Sequence, residues 1–436
     1  MKAIVKPRPE IYEAWPKGML LVDKHIPQVQ KSDDVQIRVI AGGICGTDVG
    51  IYGSKDSLKN SMSSLKTPNV TIGHEFCGRI SAAGPKAKLR LASLVIAKAK
   101  EYKTIAAYVR RRNPAQLVKD PGFIEFVNAN FVATAEMHIT CGKCAQCKLG
   151  EYHVCTNTVI RGLHGDGAFA EYVVLPAENV IIFKNGEIPE EIIAFMDAIG
   201  NATHTVQSLS SIKGKTVAVL GCGVIGLMTI AIAKAAGARK ILVTDASHGE
   251  NTHDKLLKHK FKVAKSLGAN TCFDVSIPAE KEQFYKVAKA ENHGAGVDAV
   301  LEMSGSYHAY IDAFKVLRMG GEISFLGLTS GTMQIDFAKN IIFPGVTLHG
   351  VIGRRVWSTW EIMVKLLKGG LAKKFLKAGF ITHQFALEDF DKGFHAIATG
   401  DALKVLLRPG GAVKTTKSIA GQYEPARGVV HNITHS

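Results

Sequence analysis

Residues 216 to 246 limit most strongly how this chain can fold. A β-branched run, TVAVL (216–220), leads directly into GCGVIG (221–226). LMTIAIAKAAGA follows and reads as a helix, then KILVTDA (240–246), a second strand ending on Asp245. Strand, G-x-G-x-x-G, helix, strand and acid together form a dinucleotide-binding fingerprint. Gly221 permits the tight turn, Gly223 lets the backbone approach a pyrophosphate, and Gly226 lets the helix pack closely on the strand. The helix N-terminus offers N–H donors and positive potential to the phosphates. Asp245 stands where a carboxylate accepts hydrogen bonds from the ribose hydroxyls and repels a 2′-phosphate, which favours NAD over NADP.

Further strand and helix units follow in the same rhythm. VDAVLEMSG (297–305) is a strand, YIDAFKVLRMGG a helix, and EISFLGL (322–328) and TLHGVIG (347–353) are strands. The alternation predicts an α/β protein with a doubly wound parallel sheet. The amphipathic helix STWEIMVKLLKGG and the segment ITHQFALEDFDKGFHAIATG come after it.

Upstream, ITCGKCAQCKLGEYHVCTN (139–157) carries Cys141, Cys144, Cys147 and Cys155 in a C-x2-C-x2-C-x7-C spacing. Four thiolates complete a tetrahedral Zn²⁺ shell and leave no position for substrate, so such a site is structural. Lys143 and Lys148 would offset its negative charge. An iron–sulfur cluster is the alternative metal reading. Two disulfides are the other alternative, disfavoured in a long chain whose N-terminus has no signal-peptide core. A second group stands apart: Cys45 in AGGICGTDVGIYG (41–53), and His74 with Glu75 in TIGHEFCG (71–78). Cys, His and carboxylate are all zinc ligands, and three of them leave a fourth position open for chemistry.

The net charge of +16 raises the possibility of a nucleic-acid partner. Its distribution argues otherwise. Pro85 to Lys119 holds six Lys and four Arg against one Glu, a net of +9. The excess is therefore concentrated in one segment, and the chain has no zinc-finger, RRM or KH pattern. With little periodicity, that segment reads as a solvated, partly mobile insertion. No apolar run is long enough to span a membrane. A cytosolic protein is expected, in which the sequons at Asn69, Asn201 and Asn432 carry no meaning.

Taken together, GICGTD, GHE, the four-Cys lobe, GCGVIG and Asp245 resemble the zinc-dependent medium-chain dehydrogenases. The pieces ICGTDVGIY, HITCGKC, GNATHT, LEMSG, IDFAKNIIFPGVTLHGVIGRRVWSTWEIMVKLLKGG and ITHQFALEDFDKGFHAIATG are similar to the L-threonine 3-dehydrogenase branch. The likeness runs to about Leu407, apart from two insertions. It implies a GroES-like, β-rich catalytic domain over 1–198, containing the lobe (139–157) and the basic insertion (85–127). A Rossmann NAD-binding domain follows over 199–348, and residues 349–436 return to the catalytic domain and end in a tail.

By this resemblance Cys45, His74 and Glu75 surround a catalytic zinc, while the four-Cys lobe holds a structural one. Asp197, in FMDAIGN, stands beside the catalytic zinc and assists proton transfer without permanently ligating it, Thr47 begins a proton relay, and His138 helps admit the amino acid. Ile225, Asp245, Lys260, Leu326, Gly327, Leu328, Val351 and Ile352 match cofactor contacts. The implied reaction is NAD-dependent oxidation of the L-threonine hydroxyl to 2-amino-3-oxobutanoate, in a homotetramer paired through sheet edges. The alternatives are another zinc alcohol or polyol dehydrogenase, of the sorbitol or butanediol type, or a relay-impaired member with weak activity.

Four departures matter. Gly50 replaces a relay histidine, DAIGN replaces DPFGN, and Ile352 replaces an aromatic residue. An extra piece around His248 to Lys258 also interrupts the loop after Asp245, where it would loosen NAD binding.

Overall fold

The computed structural model describes residues 1–10, 13–247, 251–329 and 331–410, with the backbone alone for 251–256. The sequon at Asn432 lies outside the described residues, as does the 248–250 part of the extra piece. From Asn251 to Leu267 that piece is helix.

Six strands form a parallel sheet: Thr216–Leu220, Lys240–Asp245, Thr271–Asp274, Val297–Glu302, Leu317–Phe325 and Thr347–Gly350. Their order across the sheet is third, second, first, fourth, fifth, sixth, and every neighbouring pair runs parallel. The order reverses beside Thr216–Leu220, so a crevice opens at the carboxyl end of that strand. All five residues of that strand are buried, which explains its unbroken apolar run: a parallel strand covered on both faces has no reason to alternate. Helix Val224–Ala235 is buried at eight positions and almost wholly apolar, because it lies between the sheet and its neighbours rather than on the surface.

The β-rich half is a seven-stranded, mostly antiparallel sheet built on Asp34–Gly43 and Phe76–Ala83. The late strand Lys404–Arg408 pairs antiparallel with Asp34–Gly43, so the chain leaves this half, builds the parallel sheet and returns. Among the described residues, no helix is long and apolar enough to cross a membrane.

The basic insertion is not the mobile segment expected from its sequence. It folds into helices Pro85–Ala99, Lys103–Val109, Pro114–Leu117 and Phe123–Asn130. Ala87, Leu91 and Val95 recur every four residues and face one side. They pack with Ile105, Leu117, Phe123 and Val127 against Val35, Ile37 and Phe76 of the β-rich half. Pro at the first helical position starts the first helix, and Asn113 caps the third by accepting from the Gln116 N–H at 2.9 Å. Lysines between the apolar positions obscure the stripe in the sequence; in the structure they sit on its solvent side.

Candidate active site

Two clusters of metal-ligand side chains stand out among the described residues, Cys141–Cys144–Cys147–Cys155 and Cys45–His74–Glu75. Within each, the ligand atoms lie within 4.8 Å of one another. In the four-Cys lobe the backbone is aimed at sulfur. The Cys141 N–H donates to Cys155 Sγ and the Cys144 N–H to Cys141 Sγ, both at 3.4 Å. Backbone N–H groups of Cys147 and Thr156 lower the Cys144 thiol to about 5, which favours the thiolate, while burial pushes Cys147 up to about 12. Four sulfurs converging under N–H donors fit one tetrahedral metal ion.

The second cluster is assembled from two elements. Cys45 immediately precedes helix Gly46–Tyr52, and its N–H donates to Asp48 Oδ2 at 2.9 Å. His74 and Glu75 precede strand Phe76–Ala83. Asp48 Oδ1 lies 3.4 Å from His74 Nδ1, a charge contact rather than a hydrogen bond, so it is a buried oxygen without a hydrogen-bond partner in the protein. Glu75 is fully buried. One of its oxygens pairs with the ammonium of Lys404, which also donates to the Ile44 carbonyl at 2.9 Å. The other oxygen, Oε1, is buried without a hydrogen-bond partner in the protein. A buried carboxylate oxygen with no partner is costly, and a cation held by Cys45 and His74 fits the place it faces. Three donors rather than four suit a metal with a coordination position left for another ligand.

Behind this cluster lies a buried charge network that the sequence does not reveal. The Arg354 guanidinium, 1% exposed, pairs with Glu136 through Nη2 and donates from Nε to Glu136 Oε2 at 2.9 Å. Its Nη1 reaches Asp197 Oδ2 at 2.6 Å and Asn201 Oδ1 at 3.2 Å. Trp360 Nε1 donates to Glu136 Oε2 at 2.7 Å. Burial opposes charge on Glu136, but Arg354 wins and holds its carboxyl at about 2. Gly200 explains the geometry: a Cβ there would stand 2.3 Å from Arg354 Cδ, so only glycine lets the arginine cross helix Met196–Gln207.

His138 is brought to the same network. Nη2 of Arg354 lies 3.2 Å from its Nδ1. Arginine can only donate, so Nδ1 accepts and the neutral ring carries its proton on Nε2. Burial and the neighbouring Arg354 lower the His138 pKa, consistent with a neutral ring. Thr47 is half-buried on the helix that begins after Cys45. Gly50, one turn further on, is buried; a Cβ there would meet Leu58 Cδ1 at 2.6 Å. Leucine therefore occupies the room that a histidine side chain would need.

The nucleotide motif has the geometry its glycines imply. Gly221 adopts φ +102°, a left-handed conformation that disfavours other residues. A Cβ on Gly226 would lie 2.0 Å from the Gly221 carbonyl, whereas one on Gly223 would meet nothing within 4 Å. Open space in front of Gly223, at the start of helix Val224–Ala235, fits a pyrophosphate. Ile225 is half-buried on that first turn. Asp245 ends the second strand, and Lys260 Nζ reaches its Oδ2 at 3.0 Å. Leu326, Gly327 and Leu328 follow the fifth strand, with Leu328 almost fully exposed; Val351, buried, and Ile352, exposed, follow the sixth. Glu302, which the sequence reading missed, is buried and accepts from the Ser304 and Gly305 N–H groups at 2.8 and 3.1 Å. It pins one loop beside the crevice, while its own carbonyl accepts from Leu326 N–H at 3.0 Å and pins the other.

Comparison with known proteins identifies the domains to which these elements belong. Residues 31–122 and 129–185 match the alcohol dehydrogenase GroES-like domain, and residues 224–369 match the zinc-binding dehydrogenase domain. The chain is 35% identical to an L-threonine 3-dehydrogenase of Caldanaerobacter subterraneus subsp. tengcongensis, across 90% of this chain and 96% of that protein. It is also 35% identical to an L-threonine 3-dehydrogenase of Bacillus subtilis, across 90% and 95%. Among solved structures, the alcohol dehydrogenase TADH from Thermus sp. ATN1 superposes with a TM-score of 0.69 at 22% identity, across 94% of this chain and 100% of that one. The 2R,3R-butanediol dehydrogenase from Bacillus subtilis gives 0.69 at 24% identity, across 94% and 99%. These two likenesses speak to the fold alone.

Proposed function

This chain belongs to the zinc-dependent medium-chain dehydrogenases, and from that premise we propose that it oxidises the hydroxyl of L-threonine to 2-amino-3-oxobutanoate with NAD. The observation carrying the reading is the three-ligand Cys45–His74–Glu75 cluster, set apart from a closed four-thiol lobe. The choice of threonine is supported by the two L-threonine 3-dehydrogenases, each 35% identical across nine-tenths of the chain.

In this reading Cys45, His74 and Glu75 hold the catalytic metal and the four-Cys lobe holds a structural one. Zinc supplies Lewis acidity toward the substrate hydroxyl when bound. Lys404 fixes Glu75, so that ligand is preorganised, and Asp48 sets a carboxylate 3.4 Å from the His74 ring. Thr47 Oγ would accept the hydroxyl proton while passing its own on to water, since Gly50 offers no titratable group beyond it. His138 offers its Nε2–H to the substrate, held in that tautomer by Arg354. Asp197, neutralised by the same arginine, keeps a carboxylate beside the metal without excess negative charge. Gly223, with Ile225 and Gly226 behind it, receives the pyrophosphate, and Asp245 with Lys260 receives the adenosine ribose. Leu326 to Leu328, Val351 and Ile352 flank the rest of the cofactor. The testing experiment is NADH formation by zinc-loaded protein given L-threonine, sorbitol or 2,3-butanediol. Threonine is expected to be turned over best; polyol turnover without threonine turnover overturns the assignment.

Two predictions belong here. Asp245→Ser removes the acceptor for the ribose hydroxyls but leaves Lys260 to meet a 2′-phosphate. Its kcat/KM with NAD is expected to fall about tenfold to a hundredfold, the scale of a lost charged hydrogen bond, while use of NADP rises. Steady-state kinetics with both cofactors measures this. Gly50→His alone is expected to destabilise the protein, because its side chain meets Leu58. Combined with Leu58→Ala it restores a titratable group one turn from Thr47, and turnover at neutral pH is expected to rise about tenfold. An unchanged rate in a well-folded double variant would mean that the proton already leaves by another route.

A homotetramer in the cytoplasm completes the proposal. The sixth strand, Thr347–Gly350, pairs with the fifth and lies at the sheet edge. Exposed Met319, Ile342, Phe343 and Leu348 accompany it. An open apolar edge of this kind suits pairing with a second copy.

A further inference from the structure

A cavity of about 730 Å³ lies between residues 64–69 and residues 157–166, with Lys24 at one side. None of its lining residues belongs to the metal clusters or to the nucleotide loops. Its charged walls are Lys24, Lys66, Arg161 and Asp166. Asp166 is already committed: it pairs with Lys24 at 2.9 Å and accepts from the Thr71 N–H at 2.8 Å. Arg161 is left with little. One guanidinium nitrogen donates to the Val174 carbonyl at 2.9 Å, while its buried Nε finds no acceptor among the described residues. Burial lowers its pKa, and Asp166 and Asp34 act on it only from beyond ion-pair distance.

The other polar groups do not supply the missing negative charge. His164 Nδ1 accepts from the Ile160 N–H at 3.2 Å, and its Nε2 lies 2.9 Å from Ser61 Oγ, so the ring is neutral with both nitrogens engaged. Lys66 is exposed at the rim and makes no ion pair among the described residues. Lys24, Lys66 and Arg161 against Asp166 leave a net charge of +2 around a space large enough for a metabolite. Nε is covered by protein, but Nη1 has no acceptor among the described residues and lies beside the lining residue Gly165, where it can meet a planar or tetrahedral anion.

We propose that this cavity binds a small molecule bearing a carboxylate or phosphate, with the anionic group on Arg161 and Lys66 closing over it. This is a site separate from the dehydrogenase centre, and its test does not depend on turnover. Inorganic phosphate and succinate are titrated separately into the zinc-loaded full chain by calorimetry, at constant ionic strength. Saturable binding is expected for at least one probe: phosphate alone points to a phosphoryl ligand, succinate alone to a carboxylate. Arg161→Gln and Lys66→Glu should each weaken that binding at least about tenfold. Lys66 is exposed, so Lys66→Glu keeps the test decisive even if Arg161→Gln fails to fold. The proposal is overturned if neither probe binds saturably. It is equally overturned if Lys66→Glu binds as tightly as the unaltered protein, since the anion would then be sitting elsewhere, for instance on zinc.

Discussion

His74→Ala is expected to lower zinc content from about two ions per chain to about one, and turnover by about a thousandfold, while leaving the protein folded. The metal's Lewis acidity is worth several kcal/mol, and about 4 kcal/mol corresponds to a thousandfold in rate. The fold should survive because this cluster joins elements that are already secured. Strand Phe76–Ala83 is paired along most of its length with Asp34–Gly43, and Glu75 remains anchored to Lys404. The four-Cys lobe differs. Among the described residues its two short strands, His138–Ile139 and Val159–Ile160, pair only with each other, so a metal held by the four thiols would be a main source of its order. Cys144→Ser should therefore also lose one zinc but with a clear drop in melting temperature, whereas His74→Ala loses one with little. Zinc analysis and a thermal melt of both variants separate the sites. If His74→Ala keeps both zincs, or keeps its activity, the assignment of the open cluster fails.

What could be read from the sequence follows from how local each signal is. The glycine motif encodes turn, helix start and strand within thirty residues, so the fold of this half was legible and a candidate cofactor site came with it. The four cysteines lie within fifteen residues and declare their own geometry. The helical insertion was hidden because its apolar stripe is interleaved with lysine and arginine, and charge masked the period of Ala87, Leu91 and Val95. Arg354 and Glu136 were illegible for another reason. They lie 218 residues apart, and an arginine in IGRRVW looks like any surface charge. Only Gly200, unusual inside a helix, hinted that something large must cross there. Lys404 is a similar case, since nothing around it in DALKVLL marks it as the partner of Glu75.

Arg354→Met should destabilise the protein by about 3–5 kcal/mol, the cost of leaving a buried charge without its partner. The methionine fills much of the same volume, so the loss reports charge rather than a cavity. Two carboxylates would be stranded at once, Glu136 and Asp197, and Gly200 would no longer face an arginine stem. Glu136→Gln combined with Arg354→Met should recover part of this, because removing both charges costs less than removing one. The pH dependence has a fixed sign. Glu136 titrates at about 2 in the fold, against an ordinary value near 4.5, so its contribution is fully present above pH 4.5 and is lost as pH falls toward 2. That interval corresponds to about 3 kcal/mol. Urea titrations at pH 7 and pH 4 should therefore show the gap between the unaltered protein and the double variant narrowing at the lower pH. An Arg354→Met protein as stable as the original would mean that the network is solvated and that Glu136 needs no counter-charge. Activity gives a second reading of the same residue. Losing Arg354 frees His138 to change tautomer and leaves Asp197 uncompensated beside Glu75. The residual enzyme should therefore show a raised KM for threonine as well as a lower kcat, a pattern that loss of stability alone does not produce.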